Sequence, residues 1–125
     1  MAQHLQALLD PCYDVDVVAD GQALIAAATR ELPDLIISDI AMPGVSGLVA
    51  AHYILKAHPQ ARIIFATVLD EPAIIRRAFA EGASGYVMKS DAGEELAEAV
   101  DKVLAGGRYL SSSARAVLGG RPGAN

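Results

Sequence analysis

Apolar residues along this chain recur with two different periods. Short uninterrupted runs, Leu35-Ile36-Ile37 and Ile63-Ile64-Phe65-Ala66, suit strands buried on both faces of a parallel sheet. Between them apolar positions return every three or four residues, as one face of a helix does. Leu5, Leu8 and Leu9 mark a short opening helix, stopped at Asp10-Pro11 because proline disfavours the helical conformation in the residue before it. Tyr13 to Ala19 reads as a strand. Asp20-Gly21 turns the chain, Asp20 suits an N-cap, and Ala23, Leu24, Ala27, Ala28 and Leu32 line a second helix that ends before Pro33.

After the Leu35 strand, Leu48 to Ala57 predicts a helix that stops at His58-Pro59, and Ile63 to Ala66 predicts the next strand. Leu69 to Pro72 opens another helix, since proline is tolerated where its missing N–H would have no partner. Ile74, Ile75, Ala78 and Phe79 form that helix's inner face, and Gly82 terminates it. Tyr86 to Met88 is a short last strand. Leu96, Val100, Val103 and Leu104 face inward from a final helix ended by Gly106-Gly107, and Ser111 to Ser113 suit the cap of a terminal turn through Leu118. Gly119 to Asn125 is expected to be disordered. Strands alternating with helices of this length require right-handed crossovers, so the expected fold class is α/β, a doubly wound parallel sheet. Residues 1–118 are expected to form one domain.

In such sheets chemistry collects beyond the carboxyl ends of the strands. Asp39 stands there, at the end of an apolar run and before the Met42-Pro43-Gly44 turn. Thr67 and Lys89 occupy equivalent places after later strands. A carboxylate, a hydroxyl and an ammonium at one rim match what a transferred phosphoryl group needs: an oxygen nucleophile, a hydrogen-bond donor and a cation for the spread negative charge.

Composition narrows the remaining classes. With 53% hydrophobic residues in 125, the chain has material for one core. Lys and Arg total 10 against 15 Asp and Glu, and no basic stretch exists to release phosphate counterions, so nucleic-acid binding by this chain is not expected. Cys12 is single and cannot form an internal disulfide. No run approaches the ~18 apolar residues of a membrane span, and a cytoplasmic location without membrane partners is expected. His4, His52 and His58 lack metal-ligand spacing, and the glycine pairs match neither a dinucleotide fingerprint nor a phosphate-cradling loop.

Three motifs together carry a family resemblance: Ser38-Asp39-Ile40-Ala41-Met42-Pro43-Gly44-Val45-Ser46-Gly47-Leu48, then Ile64-Phe65-Ala66-Thr67, then Gly82 to Lys89 with Tyr86 inside it. From Gln3 to Leu118 the chain resembles the receiver domains of two-component response regulators. The ending Ala105 to Ser111 is similar to the subfamily joined to a helix-turn-helix output domain. The resemblance implies the flavodoxin-like receiver fold. It implies that Asp39 accepts a phosphoryl group from a sensor histidine kinase, that Thr67 and Lys89 bind its oxygens, and that Tyr86 turns inward as the switch aromatic. It also implies a Mg2+ ion, held by Asp39 and the backbone carbonyl of Ala41. The chain would then be a phosphoacceptor with at most self-catalysed phosphorylation and dephosphorylation, and not a conventional enzyme.

The sequence departs from the family in one respect. Receivers begin with an apolar strand ending in two acidic residues, whereas this sequence opens directly in a helix. In the family's strand order, 2-1-3-4-5, that strand is central. Its absence predicts either a gap in the sheet or direct pairing of strands that it normally separates, and a homodimer or strand exchange becomes an expected outcome. The acidic pair would be the main magnesium ligand set. Asp14 and Asp16 lie in the following strand and are poor substitutes, so an impaired metal site and weak phosphorylation are expected. The alternative is a phosphorylation-independent interaction module. A small enzyme or ligand binder on the same scaffold has only the fold in its favour.

Overall fold

The buried apolar runs build the sheet. The computed structural model describes residues 15–18, 26, 34–41 and 46–119. Val15–Val18 form β1, Leu35–Ser38 β2, Ile63–Thr67 β3, Gly85–Met88 β4 and Tyr109–Leu110 β5. The strands pair in parallel in the order β1-β2-β3-β4-β5. Four helices among the described residues accompany them: α1 Gly47–Ala57, α2 Pro72–Ala80, α3 Lys89–Leu104 and α4 Ser112–Val117. The helices expected over Leu5–Leu9 and Ala23–Leu32 lie outside the described residues, apart from Ala26, which is helical. The tail expected to be disordered also lies outside them, apart from Gly119.

Side chains alternate strictly between the two faces of the sheet. Ile36, Ile63, Phe65, Tyr86 and Met88 enter one apolar cluster, with Ala50, Ala51 and Ile54 of α1, Ile75 and Ala78 of α2 and Ala114 of α4. Leu35, Ile37, Ile64, Ala66 and Val87 enter the other, with Leu96, Ala99, Val100 and Val103 of α3. Helices therefore cover both faces, as a doubly wound sheet requires. Burial of each large aliphatic side chain contributes ~1.5–3 kcal/mol, so these paired stripes hold the strand ends in register.

Two features depart from the pattern. β1 pairs directly with β2, Val15 beside Leu35 and Val18 beside Ser38, so the described strands leave no gap where the family's central strand would lie. Of the two arrangements that the missing strand allows, this is direct pairing. β5 was not expected at all. The α3 helix ends at Gly106, whose φ of 97° lies in the left-handed region, while the Gly106 and Gly107 N–H groups donate to Val103 and Lys102 carbonyls at 2.9 Å each. This reversal brings Tyr109 and Leu110 alongside Gly85 and Tyr86. The chain then enters α4, a helix in place of the expected terminal turn.

Candidate functional site

Asp39 follows β2 directly, and its placement begins with its neighbours. Ile40 is buried in the core, 4% exposed, which turns the adjacent Asp39 side chain toward the rim, where it remains 21% exposed. The returning chain clamps this segment, for the Gly47 N–H donates to the Ile40 carbonyl at 2.8 Å. A Cβ at Gly47 would lie 2.3 Å from the Asp39 carbonyl oxygen and 2.9 Å from Ile40 Cα, so only glycine permits the approach. Ser46 then caps α1, its hydroxyl accepting from the Leu48 N–H at 3.2 Å.

Both carboxylate oxygens of Asp39 are engaged. Oδ1 accepts from the N–H groups of Ile40 at 2.7 Å and Ala41 at 3.2 Å, and Oδ2 accepts from Lys89 Nζ at 2.7 Å. Thr67, the last residue of β3 and wholly buried, stands beside the same carboxylate, near enough for its hydroxyl to favour the ionised form. Burial works to raise the Asp39 pKa. The Lys89 hydrogen bond, the Thr67 hydroxyl, the Lys89 charge and the Ile40 N–H outweigh it and hold the group below the ordinary carboxylate value, so the acid is ionised at neutral pH. Lys89 reaches the site as the first residue of α3, immediately after β4, and stays 42% exposed at its side chain. Asp39, Thr67 and Lys89 thus meet at one sheet rim, the first and the last 50 positions apart in sequence.

Tyr86 sits one layer beneath. It is fully buried in β4 and points into the core, and its hydroxyl donates to the Leu69 carbonyl at 2.6 Å. Burial, then the negative charges of Asp39, Asp70 and Glu71, push its pKa up to about 12, so it is a neutral donor. The Leu69 N–H in turn donates to Thr67 Oγ1 at 3.2 Å. Leu69 therefore joins the hydroxyl beside Asp39 to the buried aromatic. The sequence reading missed Leu69 because a backbone group leaves no trace in residue type. It missed Gly47 too, although a glycine just before a helix, where Ser46 already caps, was a usable signal.

The magnesium expectation does not fit this donor set. Among the described residues no group of three metal-ligating side chains exists, and the rim offers one carboxylate, already paired with Lys89 and two N–H groups. Ala41 is exposed and meets Asp39 through its N–H. His4, Asp14 and the Asp16 side chain lie outside the described part. His52 belongs elsewhere, to an exposed cluster in which Glu81 accepts from Arg77 Nε at 3.0 Å and lies 2.9 Å from His52 Nδ1. No helix of the described residues is long and apolar enough to cross a membrane.

Comparison with known proteins gives a consistent picture. The sequence model of the response regulator receiver domain matches residues 1–101. Response regulator GacA of Pseudomonas aeruginosa is 34% identical over 91 residues, covering 73% of this chain and 42% of its own length. Oxygen regulatory protein NreC of Staphylococcus carnosus is 34% identical over 97 residues, covering 77% of this chain and 45% of its own. This chain spans about half the length of the curated relatives it matches. A two-component response regulator of the LuxR family from Aurantimonas superposes with a TM-score of 0.77 at 32% identity, over 82% of this chain and 74% of that one. The isolated receiver domain of RcsB from Salmonella enterica serovar Typhimurium, solved with the phosphomimetic BeF3-, gives 0.71 at 27% identity, over 78% and 73%.

Proposed function

The chain belongs to the response regulator receiver domain family, and from that premise we propose that residues 1–118 act as a phosphoacceptor switch whose acceptor is Asp39. The observation that carries the proposal is the meeting of the Asp39 carboxylate, the Thr67 hydroxyl and the Lys89 ammonium at one rim. Receivers are signalling proteins and not conventional enzymes, and the donor proposed here is the phosphohistidine of a sensor kinase. An Asp39 oxygen forms the new O–P bond while the N–P bond breaks, and its electron pair stays on the departing imidazole nitrogen. Lys89 exchanges its carboxylate contact for the phosphoryl oxygens, and Thr67 donates to another of them. Any catalysis of phosphorylation or dephosphorylation is the domain's own. No step is routed through a divalent cation.

Tyr86 is the proposed relay. Movement of Thr67 toward the phosphoryl group disturbs the Leu69 segment that Tyr86 grips, which is a local charge change biasing a packed element. A cytoplasmic setting and the regulation of transcription through a linked output domain complete the proposal, since the matched relatives include a transcriptional regulatory protein, DegU of Brevibacillus brevis.

Incubation with a small phosphodonor and magnesium, followed by intact mass, tests it. One phosphoryl group should add to the chain and none to Asp39→Asn. Addition that survives Asp39→Asn overturns the assignment. A second reading, the phosphorylation-independent interaction module, is favoured by one observation: Lys89 already neutralises Asp39 where the metal donors are wanting. Absence of any adduct on the unmodified chain selects it.

A further inference from the structure

The segment that the sequence reading left as a turn is tied to the switch at several points. Ser111 is wholly buried. Its N–H donates to the Tyr86 carbonyl at 3.0 Å, and its hydroxyl accepts from the Met88 N–H at 3.0 Å, the peptide just before Lys89. Beyond it, α4 lays the fully buried Ala114 into the cluster that contains Tyr86 and Met88. Carboxylates from the first turns of α3 hold the polar side. Asp91 accepts from both the N–H and the hydroxyl of Ser113 at 2.9 and 2.8 Å, and Glu95 accepts from the Ser112 N–H at 3.1 Å and the Tyr109 hydroxyl at 2.7 Å. Lys89 and Asp91 thus stand in the first turn of one helix and Glu95 in the next, the first gripping Asp39 and the other two gripping the segment.

We propose that residues 109–118 form an intramolecular latch over the Tyr86 face, and that its docking is coupled to the state of Asp39 through the Met88-Lys89 junction. The proposal rests on the phosphoacceptor reading of Asp39. The docked latch fits the arrangement in which Lys89 reaches the bare carboxylate at 2.7 Å. A phosphoryl group on that oxygen sets the negative charge further out, and Lys89 follows it. The Met88 N–H that Ser111 accepts, and the α3 turns that carry Asp91 and Glu95, move with Lys89. Phosphorylation therefore loosens the latch and uncovers the β4 edge and the apolar surface beneath α4. Linkage makes the effect reciprocal: undocking the latch strengthens binding of a phosphoryl group at Asp39 by the factor by which that group favours undocking.

Amide hydrogen exchange on the full chain, with and without beryllofluoride and magnesium, tests this, and fluorine NMR reports the bound fluoride. On binding, the amides of residues 111–118 should exchange roughly fivefold faster or more, the lower end of ordinary coupling. The Ile64 amide in the core serves as the control for general loosening and should not change. Asp91→Asn and Tyr109→Phe, which touch neither Asp39 nor its partners, should speed the same exchange without ligand and should tighten beryllofluoride binding, by no more than the factor by which the ligand favours undocking. Bound fluoride with unchanged or slower exchange in the segment overturns the coupling alone. Failure of the unmodified chain to bind beryllofluoride overturns the acceptor reading and the coupling with it.

Discussion

At the Asp39 rim and at the 109–118 segment, carboxylates accept backbone N–H groups at similar distances, 2.7 and 3.2 Å at Asp39 against 2.9 and 3.1 Å at Asp91 and Glu95. What lies behind the bonds differs. The rim is fixed by strands whose side chains are entirely enclosed, Ile37, Phe65 and Thr67 among them, and by the Gly47 clamp. The segment has two fully buried anchors, Ser111 and Ala114, with Leu110, Val117 and Leu118 partly buried against one cluster, and adds polar bonds of about 0.5–1.5 kcal/mol each. Moving the rim disturbs strands enclosed on both faces, whereas moving the segment uncovers partly buried side chains at one margin and breaks a few such bonds.

The sharpest way to break this contrast is at the carboxylates themselves. Asp39→Asn should abolish phosphoryl addition measured by intact mass, while Asp91→Asn should leave addition intact. Next in size is the clamp. Gly47→Ala forces a Cβ to within 2.3 Å of a backbone oxygen and should lower stability by about 2–3 kcal/mol in urea titration. Gly93→Ala, in α3 where a Cβ meets nothing within 4 Å, should raise it by about 0.5–1 kcal/mol. Equal effects at the two glycines would show that the close approach at Gly47 does not hold the rim.

Acid should weaken both regions. Asp39, Asp91 and Glu95 all have lowered pKa values in the fold, so their stabilisation is complete above the unfolded values and is lost as pH falls through the folded ones. The Ile40 amide signal should follow the loss at Asp39 and the Ser112 amide signal the loss at Glu95. At the alkaline end the sign reverses. Tyr86 is raised to about 12 from 10.0, so its contribution holds below 10.0 and is lost as pH rises through about 12. Tyr86→Phe, which removes the bond to Leu69, should cost about 1 kcal/mol, read as a shift in the urea midpoint.

The sequence made the rim legible and left the segment obscure, for a physical reason. Leu35 to Ile37 and Ile63 to Ala66 have no polar interruption, and burial on both faces is the only setting that suits them, so β2 and β3 could be read directly. Parallel pairing then set Asp39, Thr67 and Lys89 at one edge although the outer two are 50 positions apart. Tyr109 and Leu110 make too short a strand to display any period. The bonds that dock the segment come from Asp91 and Glu95, which in sequence look like ordinary exposed helix residues. The start of α3 was equally obscure, since Met88 supplies no side-chain cap. The Leu69 carbonyl, central to the rim, has no counterpart in residue type.

The long sequence interval between Asp39 and its cation has a consequence during synthesis. Ribosomes add about 5–20 residues per second, so a growing chain carries Asp39 for roughly 3–10 s before Lys89 has even been joined to it. Through that interval Asp39 lacks the ammonium that it meets in the folded chain. On the proposed phosphoacceptor reading, the site is therefore complete only once translation has passed β4.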